Sequence, residues 1–291
     1  MFLLIIDGTA SDAASILDGV NILHLADLES QLKIQLNPAY SIFERCNASK
    51  GALLKYLAPK FDRLLYIDSD CYITSPLTEV VSLLEQYNLV ICPHCFSYPP
   101  NDSLRPSAEG LHLHGIYNAG VLGVASTKEG MRFISWWCDI LEKSCFNKVN
   151  EGYFVDQRYL DCVPSFFDGV HVLKHWGVNV AHFNLHERQI TLEDGCYYCN
   201  DKKLLLFHFT LFNLETGIFD SWVGRDYLSG AANAPLRKLM GEYGDRLQVA
   251  KKVFPYLALS PSKKDLHSRI LSSNPQNFPK SESDLFCSKL T

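Results

Sequence analysis

The residues best placed to do chemistry lie where an apolar run meets two carboxylates, in Arg63-Leu64-Leu65-Tyr66-Ile67-Asp68-Ser69-Asp70. Leu64 to Ile67 form an unbroken apolar stretch, the pattern of a strand buried on both faces of a sheet. Side chains alternate along an extended chain, so Asp68 and Asp70 are expected on the same side of the strand's carboxyl end. In open α/β sheets that end is where ligands bind. Paired hard oxygen ligands there suit Mg²⁺ or Mn²⁺, cations that neutralise a diphosphate. The plainer alternative is a surface strand end that caps the next helix.

Around this run the elements alternate as strand and helix. Phe2 to Ile6 reads as a strand, and Ala26 to Leu36 mixes helical spacing with turn residues. A helix over Ala48 to Leu57, closed by Pro59, precedes the Leu64 strand. The spacing then predicts a helix from Thr78 to Tyr87, opened by Ser75-Pro76, and a buried strand from Leu89 to Cys92. Residues 93–115 hold Pro93, Pro99, Pro100 and Pro106 and lack periodicity, and so long a loop is more often functional than idle. Ile116 to Val124 reads as a strand and Lys128 to Lys143 as an amphipathic helix carrying Trp136 and Trp137, where one core-facing Trp accounts for both. A further helix spans Ala231 to Ala250, followed by a Pro-, Ser- and Lys-enriched tail. The expected organisation is an α/β domain over 1–225, with a helical extension and tail over 226–291.

Composition narrows the function classes. A chain of 291 residues with 47% hydrophobic and 20% charged residues is an ordinary globular protein of one or two domains. A net charge of -5 argues against binding nucleic acid. No apolar run approaches the roughly 20 residues of a membrane helix. The opening Met1-Phe2-Leu3-Leu4-Ile5-Ile6 is short for a signal-peptide core and lacks a basic start, so a cytoplasmic protein is expected. Ten cysteines include the pairs Cys92/Cys95 and Cys196/Cys199. Structural zinc sites usually place such pairs closer together, so reduced, mostly buried thiols are the better reading. The first strand is not followed by GxGxxG, and neither GxxxxGK[ST] nor GxSxG occurs. A nucleotide bound through a metal is what remains.

Four segments in order then resemble a known family. Leu65 to Asp70 resembles the strand and Asp-x-Asp of GT-A fold glycosyltransferases. Tyr117-Asn118-Ala119-Gly120-Val121 is similar to the "N-A-G-V" strand of the retaining family 8 type. Phe154 to Leu160 is similar to its "D-Q-D-x-L" segment, and Leu206-Phe207-His208-Phe209 to the segment with its late metal-binding His. A bacterial group of glycosyltransferases often encoded with polysaccharide genes is matched more closely. Its signatures correspond to Pro93-His94, Gly115 to Gly120, Trp136-Trp137, Phe154 to Gln157 and Gly177 to Arg188. The resemblance covers residues 45 to 250. Two departures stand out. The family's first βα unit has no counterpart ahead of Phe2 to Ile6. His208-Phe209-Thr210 also lacks both the Gly of "H-F-S-G" and the Lys-Pro-Trp of family 8.

The resemblance implies a GT-A fold, with a mostly parallel mixed sheet flanked by helices. It implies Mn²⁺ or Mg²⁺ held by Asp70 and His208, with Asp68 on the ion or the donor ribose. Asn118, Ala119 and Gly120 would approach the donor sugar. Asp156 would bind its hydroxyls, with Gln157 near the anomeric carbon, as the catalytic pair. For Gly120 the alternative is a strand glycine, and for Asp156 a carboxylate at a helix N-terminus. Lys50 either reaches the donor phosphates or is an exposed helix lysine. Asn184, His186 and Arg188 share a face if that stretch is extended, lining the donor or acceptor site or forming a solvated strand face. His182 reads as a packed histidine, and His112 and His114 as a surface pair. The implied activity is transfer, with retention, from a nucleotide-diphosphate sugar, a UDP-sugar, to a glycan or lipid-linked glycan, with peripheral contact at the inner membrane face left open. The alternatives are a catalytically silent nucleotide-sugar-binding protein and a metal-dependent nucleotidyltransferase, whose usual Gly-rich N-terminal loop is missing.

Overall fold

In the computed structural model, which describes residues 1–6, 19–100, 102, 104, 106–219 and 226–253, local signals set most element ends. β1 (Phe2–Ile5) pairs in parallel with β2 (Asn21–His24), which runs into α1 (Leu25–Leu32). α2 (Ile42–Leu57) begins well before Ala48. A capping box opens it: Ser41 Oγ accepts from the Glu44 N–H at 3.3 Å, and Glu44 Oε2 accepts from the Ser41 N–H at 2.8 Å. The polar Glu44, Arg45 and Asn47 hide the helical period in this turn. β3 (Arg63–Ile67) and β4 (Cys71–Ile73) follow, then α3 (Thr78–Ser82), which tightens into a 3₁₀ turn over Leu83–Glu85 instead of continuing to Tyr87. β5 (Leu89–Pro93) leads into the Pro-rich stretch. That stretch is not loop throughout, because α4 (Ala108–His114) forms there behind the Ser107 cap.

β6 (Tyr117–Ala125) is the central strand, and α5 (Lys128–Ser144) follows behind the Thr127 cap. β7 (Asn147–Lys148) and β8 (Tyr153–Phe154) make a short antiparallel pair before a 3₁₀ helix over Gln157–Cys162 and α6 (Val163–Phe166). β9 (Val170–Val172) precedes an antiparallel meander of β10 (Ile190–Glu193), β11 (Cys196–Cys199) and β12 (Lys202–Lys203). β13 (Leu206–His208) then pairs with β4. The main sheet has the order β3-β6-β5-β9. β6 runs antiparallel to both β3 and β5, while β5 and β9 are parallel. Among the described residues the parallel strand pairing expected to predominate is therefore limited to β1–β2 and β5–β9, with one isolated parallel bridge between Val180 and Phe207.

Each face of this sheet carries its own core, which is why β5 and β6 read as continuous apolar runs. Leu89, Ile91, Leu122 and Val124 pack with α2 and α5 residues including Leu54, Phe133, Ile134 and Trp137. Val90, Cys92, Val121 and Ala125 face Val80, Leu84, Leu205 and Leu206 on the other side. β3 is less enclosed than its sequence suggests, with only Leu64 fully buried, because it lies at the end of the sheet order. Close helix packing explains Gly51: a Cβ there would sit 2.8 Å from Cys138 Cα of α5. The described cysteines are free thiols, as expected, and Cys287 lies outside the described residues.

The chain divides into two compact units, Met1–Thr210 and Leu211–Thr291. The second contains β14 (Phe212–Asn213) paired with β15 (Ile218–Phe219), a 3₁₀ turn over Ala231–Asn233 and α7 (Ala234–Val253). Phe212 packs its ring 5.4 Å from that of Tyr243. The tail expected after Ala250 falls outside the described residues beyond Val253. No helix among the described residues is long and apolar enough to cross a membrane.

Candidate functional site

The site forms where β3 ends. The Asp68 N–H is held by the Gly120 carbonyl at 2.8 Å, and the Phe209 N–H donates to the Asp70 carbonyl at 2.8 Å. The β4–β13 register sets Cys71 opposite His208. His208 Nε2 consequently lies 3.1 Å from Asp70 Oδ1 and 3.9 Å from Asp68 Oδ2. Burial disfavours charge on the imidazole, but the hydrogen bond and charge of Asp70 prevail and raise the His208 pKa. Burial opposes ionisation of Asp70 as well, and His208 overcomes it, so that carboxyl is lowered.

Ligand atoms of Asp70, Cys71 and His208 lie within 4.8 Å of one another. Asp68, expected to share the ion, is not in that set. Its Oδ1 accepts from the Tyr66 hydroxyl at 2.7 Å and pairs with Lys50 Nζ at 2.9 Å, leaving Oδ2 toward His208. Burial pushes the Cys71 thiol well up, so it keeps its proton and offers only a soft sulfur. A carboxylate and an imidazole, with a second carboxylate facing them, fit a small divalent cation.

Lys50 is neither exposed nor free for phosphate. It is buried, with Nζ also 2.9 Å from Asp156 Oδ2. Burial alone would lower its pKa, but Asp156 and Asp68 outweigh that and hold the ammonium charged. Two carboxylates already match its single charge. Asp156 is 1% exposed and follows Val155, a β-branched residue held at φ 38°. Trp137 Nε1 donates to the Asp156 carbonyl at 3.2 Å, which gives the buried member of the Trp pair a positioning role.

The other expected donor contacts are turned inward. Gly120 does not leave open space beside its backbone. A Cβ there would lie 2.5 Å from His208 Cε1, so the glycine seats the imidazole. Asn118 Oδ1 accepts from the Gly120 N–H at 2.9 Å and from Asn179 Nδ2 at 3.1 Å. Asn118 Nδ2 donates to Gln157 Oε1 at 2.9 Å, an oxygen that also accepts from the Ala119 N–H at 3.3 Å. Gln157 Nε2 donates to the His114 carbonyl at 2.9 Å. Asn118, Ala119 and Gln157 thus brace the site from behind.

Asn184, His186 and Arg188 do not share an extended face, because His182–Asn184 is a 3₁₀ turn. Asn184 is buried and donates to the carbonyls of His94 and Asn179, each at 3.0 Å. Arg188 donates to the carbonyls of Trp176 and Val178, each at 2.9 Å. His186 groups with Cys95 and Glu187, whose ligand atoms lie within 4.8 Å. Glu187 is committed to the Phe96 and Ser97 N–H groups, each at 2.8 Å, and so clamps the loop after β5. Tyr66 and Cys71 were not among the expected site residues, and Asn179 entered only as part of the Gly177 to Arg188 signature, with no role of its own. For Asn179 the available signal was one amide inside the apolar run Gly177-Val178-Asn179-Val180-Ala181.

No family model matches the sequence. The chain is similar to two uncharacterised proteins of Bacillus subtilis (strain 168). It is 28% identical to YfnF over 201 residues, covering 66% of this chain and 64% of YfnF. It is 25% identical to YfnD over 205 residues, covering 68% of this chain and 63% of YfnD. The chain therefore spans less than two thirds of the length of either relative. Among solved structures it is similar to the galactosyltransferase LgtC in complex with donor and acceptor sugar analogues. That match has 17% identity and a TM-score of 0.42 and covers 84% of each chain.

Proposed function

We propose that this chain is a metal-dependent, retaining glycosyltransferase of the GT-A type. It moves a sugar from a nucleotide-diphosphate donor, a UDP-sugar, to a glycan or lipid-linked glycan. One observation carries the reading: Asp70 and His208, drawn from distant motif segments, meet beside the Asp68–Lys50–Asp156 cluster. Asp70 and His208, with Asp68 Oδ2 alongside, would hold Mn²⁺ or Mg²⁺, which would supply Lewis-acid stabilisation of charge on the departing diphosphate. Asp156, a buried carboxyl whose pKa burial raises against the opposing charge of Lys50, hydrogen-bonds donor-sugar hydroxyls and orients the ring. Gln157 acts with it, its amide steadied by Asn118, Ala119 and His114. Attack on one face of the sugar within an ion pair asks for no protein nucleophile. The protein works in the cytoplasm, at the inner membrane face where the acceptor is lipid-linked.

The engagement of every Gln157 polar group by protein partners also favours a second reading, a nucleotide-sugar-binding protein without transfer. Calorimetry with UDP and Mn²⁺, followed by an assay for UDP-sugar hydrolysis, separates the two. Mn²⁺-dependent UDP binding with slow hydrolysis of one UDP-sugar is expected. Binding without turnover of any donor would favour the silent protein, and absence of binding would overturn both.

A further inference from the structure

His208 has two ring nitrogens, and only a bare Nε2 can take a cation on the side where Asp70 lies. The surroundings decide where the proton sits. The Gly120 N–H donates to Asn118 Oδ1 at 2.9 Å, and a backbone N–H can only donate, so that atom is the amide oxygen. The atom of Asn179 that meets it at 3.1 Å is therefore the NH₂ group. The Ala119 N–H, donating to Gln157 Oε1, fixes the Asn118–Gln157 contact in the same sense. The remaining Asn179 atom, 3.0 Å from His208 Nδ1, is then an oxygen and demands a hydrogen from the ring. The side chains of Asn118, Gln157, Asn179 and His208 are all buried, so water does not compete freely for these groups. Asn179 itself sits at φ 52°, a conformation that Asn tolerates better than most residues.

We propose that Asn179 is a positioning residue that keeps the His208 proton on Nδ1 and so leaves Nε2 bare for a divalent cation. The inference rests on the reading of Asp70 and His208 as a metal site and adds the group that makes the imidazole a ligand. Asp70 Oδ1, 3.1 Å from Nε2, would otherwise draw the proton to that nitrogen and close it. A metal-binding imidazole commonly donates its other N–H to such a partner, and loss of the partner weakens metal binding 10- to 100-fold. The chain Asn179–Asn118–Gln157 also links the tautomer to the segment that carries Asp156.

Asn179→Gly tests this, because glycine accepts the positive φ and only the amide is lost. Asn179→Asp keeps an acceptor for Nδ1–H. In the parent, ¹⁵N NMR at alkaline pH should show His208 protonated at Nδ1. In Asn179→Gly the proton should move to Nε2, and Mn²⁺ affinity, measured with UDP present by the electron paramagnetic resonance of free Mn²⁺, should fall about 10- to 100-fold. Asn179→Asp should stay within a few-fold of the parent. If His208→Ala abolishes Mn²⁺ binding while Asn179→Gly leaves affinity and tautomer unchanged, the metal site stands and the role of Asn179 is refuted. A parent that binds no Mn²⁺ with or without UDP would overturn the site and this inference together.

Discussion

Three residues in the site are separable by what each should lose. Asp70→Asn keeps size and one acceptor oxygen but removes the charge that faces His208 Nε2 at 3.1 Å. UDP-dependent Mn²⁺ binding should disappear while circular dichroism and melting stay near the parent. Unchanged Mn²⁺ titration would remove Asp70 from the site. Gly120→Ala places a methyl 2.5 Å from His208 Cε1 and 2.8 Å from Asn118 Oδ1, so the imidazole and its amide support must shift. Overpacking of this kind costs about 1–3 kcal/mol, and urea unfolding together with Mn²⁺ titration should register the stability loss and weakened binding. Asp156→Asn should leave UDP affinity close to the parent, since UDP lacks the sugar, and slow transfer by an amount equivalent to about 2–4 kcal/mol. Equal weakening of UDP and UDP-sugar binding would instead make Asp156 a structural carboxylate.

At the scale of elements, Lys50 joins α2 to the end of β3 and to the turn after β8 through its contacts with Asp68 and Asp156. Breaking a buried pair by removing one partner costs about 3–5 kcal/mol, because the remaining charge is left without compensation. Lys50→Met should therefore lower the urea midpoint steeply. Adding Asp156→Asn to Lys50→Met should recover part of that loss, since a neutral amide tolerates the apolar neighbour. Simple additivity of the two substitutions would show that the pair is not coupled.

Over the whole molecule, buried neutral histidines set the response to acid. Burial, with smaller contributions from His114 and His208, pushes His94 down to about 4. Burial, with His208 and His94, pushes His182 down to about 3. Once unfolded, both return to the ordinary value of 6.5. Below that value the unfolded chain takes up protons that the folded chain refuses, so stability is full above it and falls as pH drops toward the folded values. Each histidine withdraws at most about 2 kcal/mol between pH 6.5 and pH 5. His208 has the opposite sign: its pKa is raised, so its contribution is present below 6.5 and lost as pH rises through the folded value. Urea midpoints measured from pH 8 to pH 5 should decline on the acid side, and His182→Gln should flatten the decline. A parallel curve for that variant would mean that His182 is not buried in the neutral form.

The sequence by itself determined the apolar strand that delivers Asp68 and Asp70, the order of the main strands and helices, and the motif segments holding His208 and Asp156. The strand and the element order follow from local rules, because periodicity records which faces are apolar and a short spacing records which side chains share a face, whereas the segments holding His208 and Asp156 were legible only through the resemblance to glycosyltransferases. It missed the start of α2, where the signal is a cap and not an apolar period, and it missed α4 among prolines. Only the tertiary structure decided that His208 lies against Asp70, since the pairing of β4 with β13 joins residues far apart in the chain. It decided that Gly120 seats an imidazole and that Lys50 is enclosed by two carboxylates. It also decided that Asn118, Gln157 and Asn179 form one directed chain of amides. A buried polar residue is placed by the partners that satisfy it, and those partners lie on other elements, where no local pattern records them.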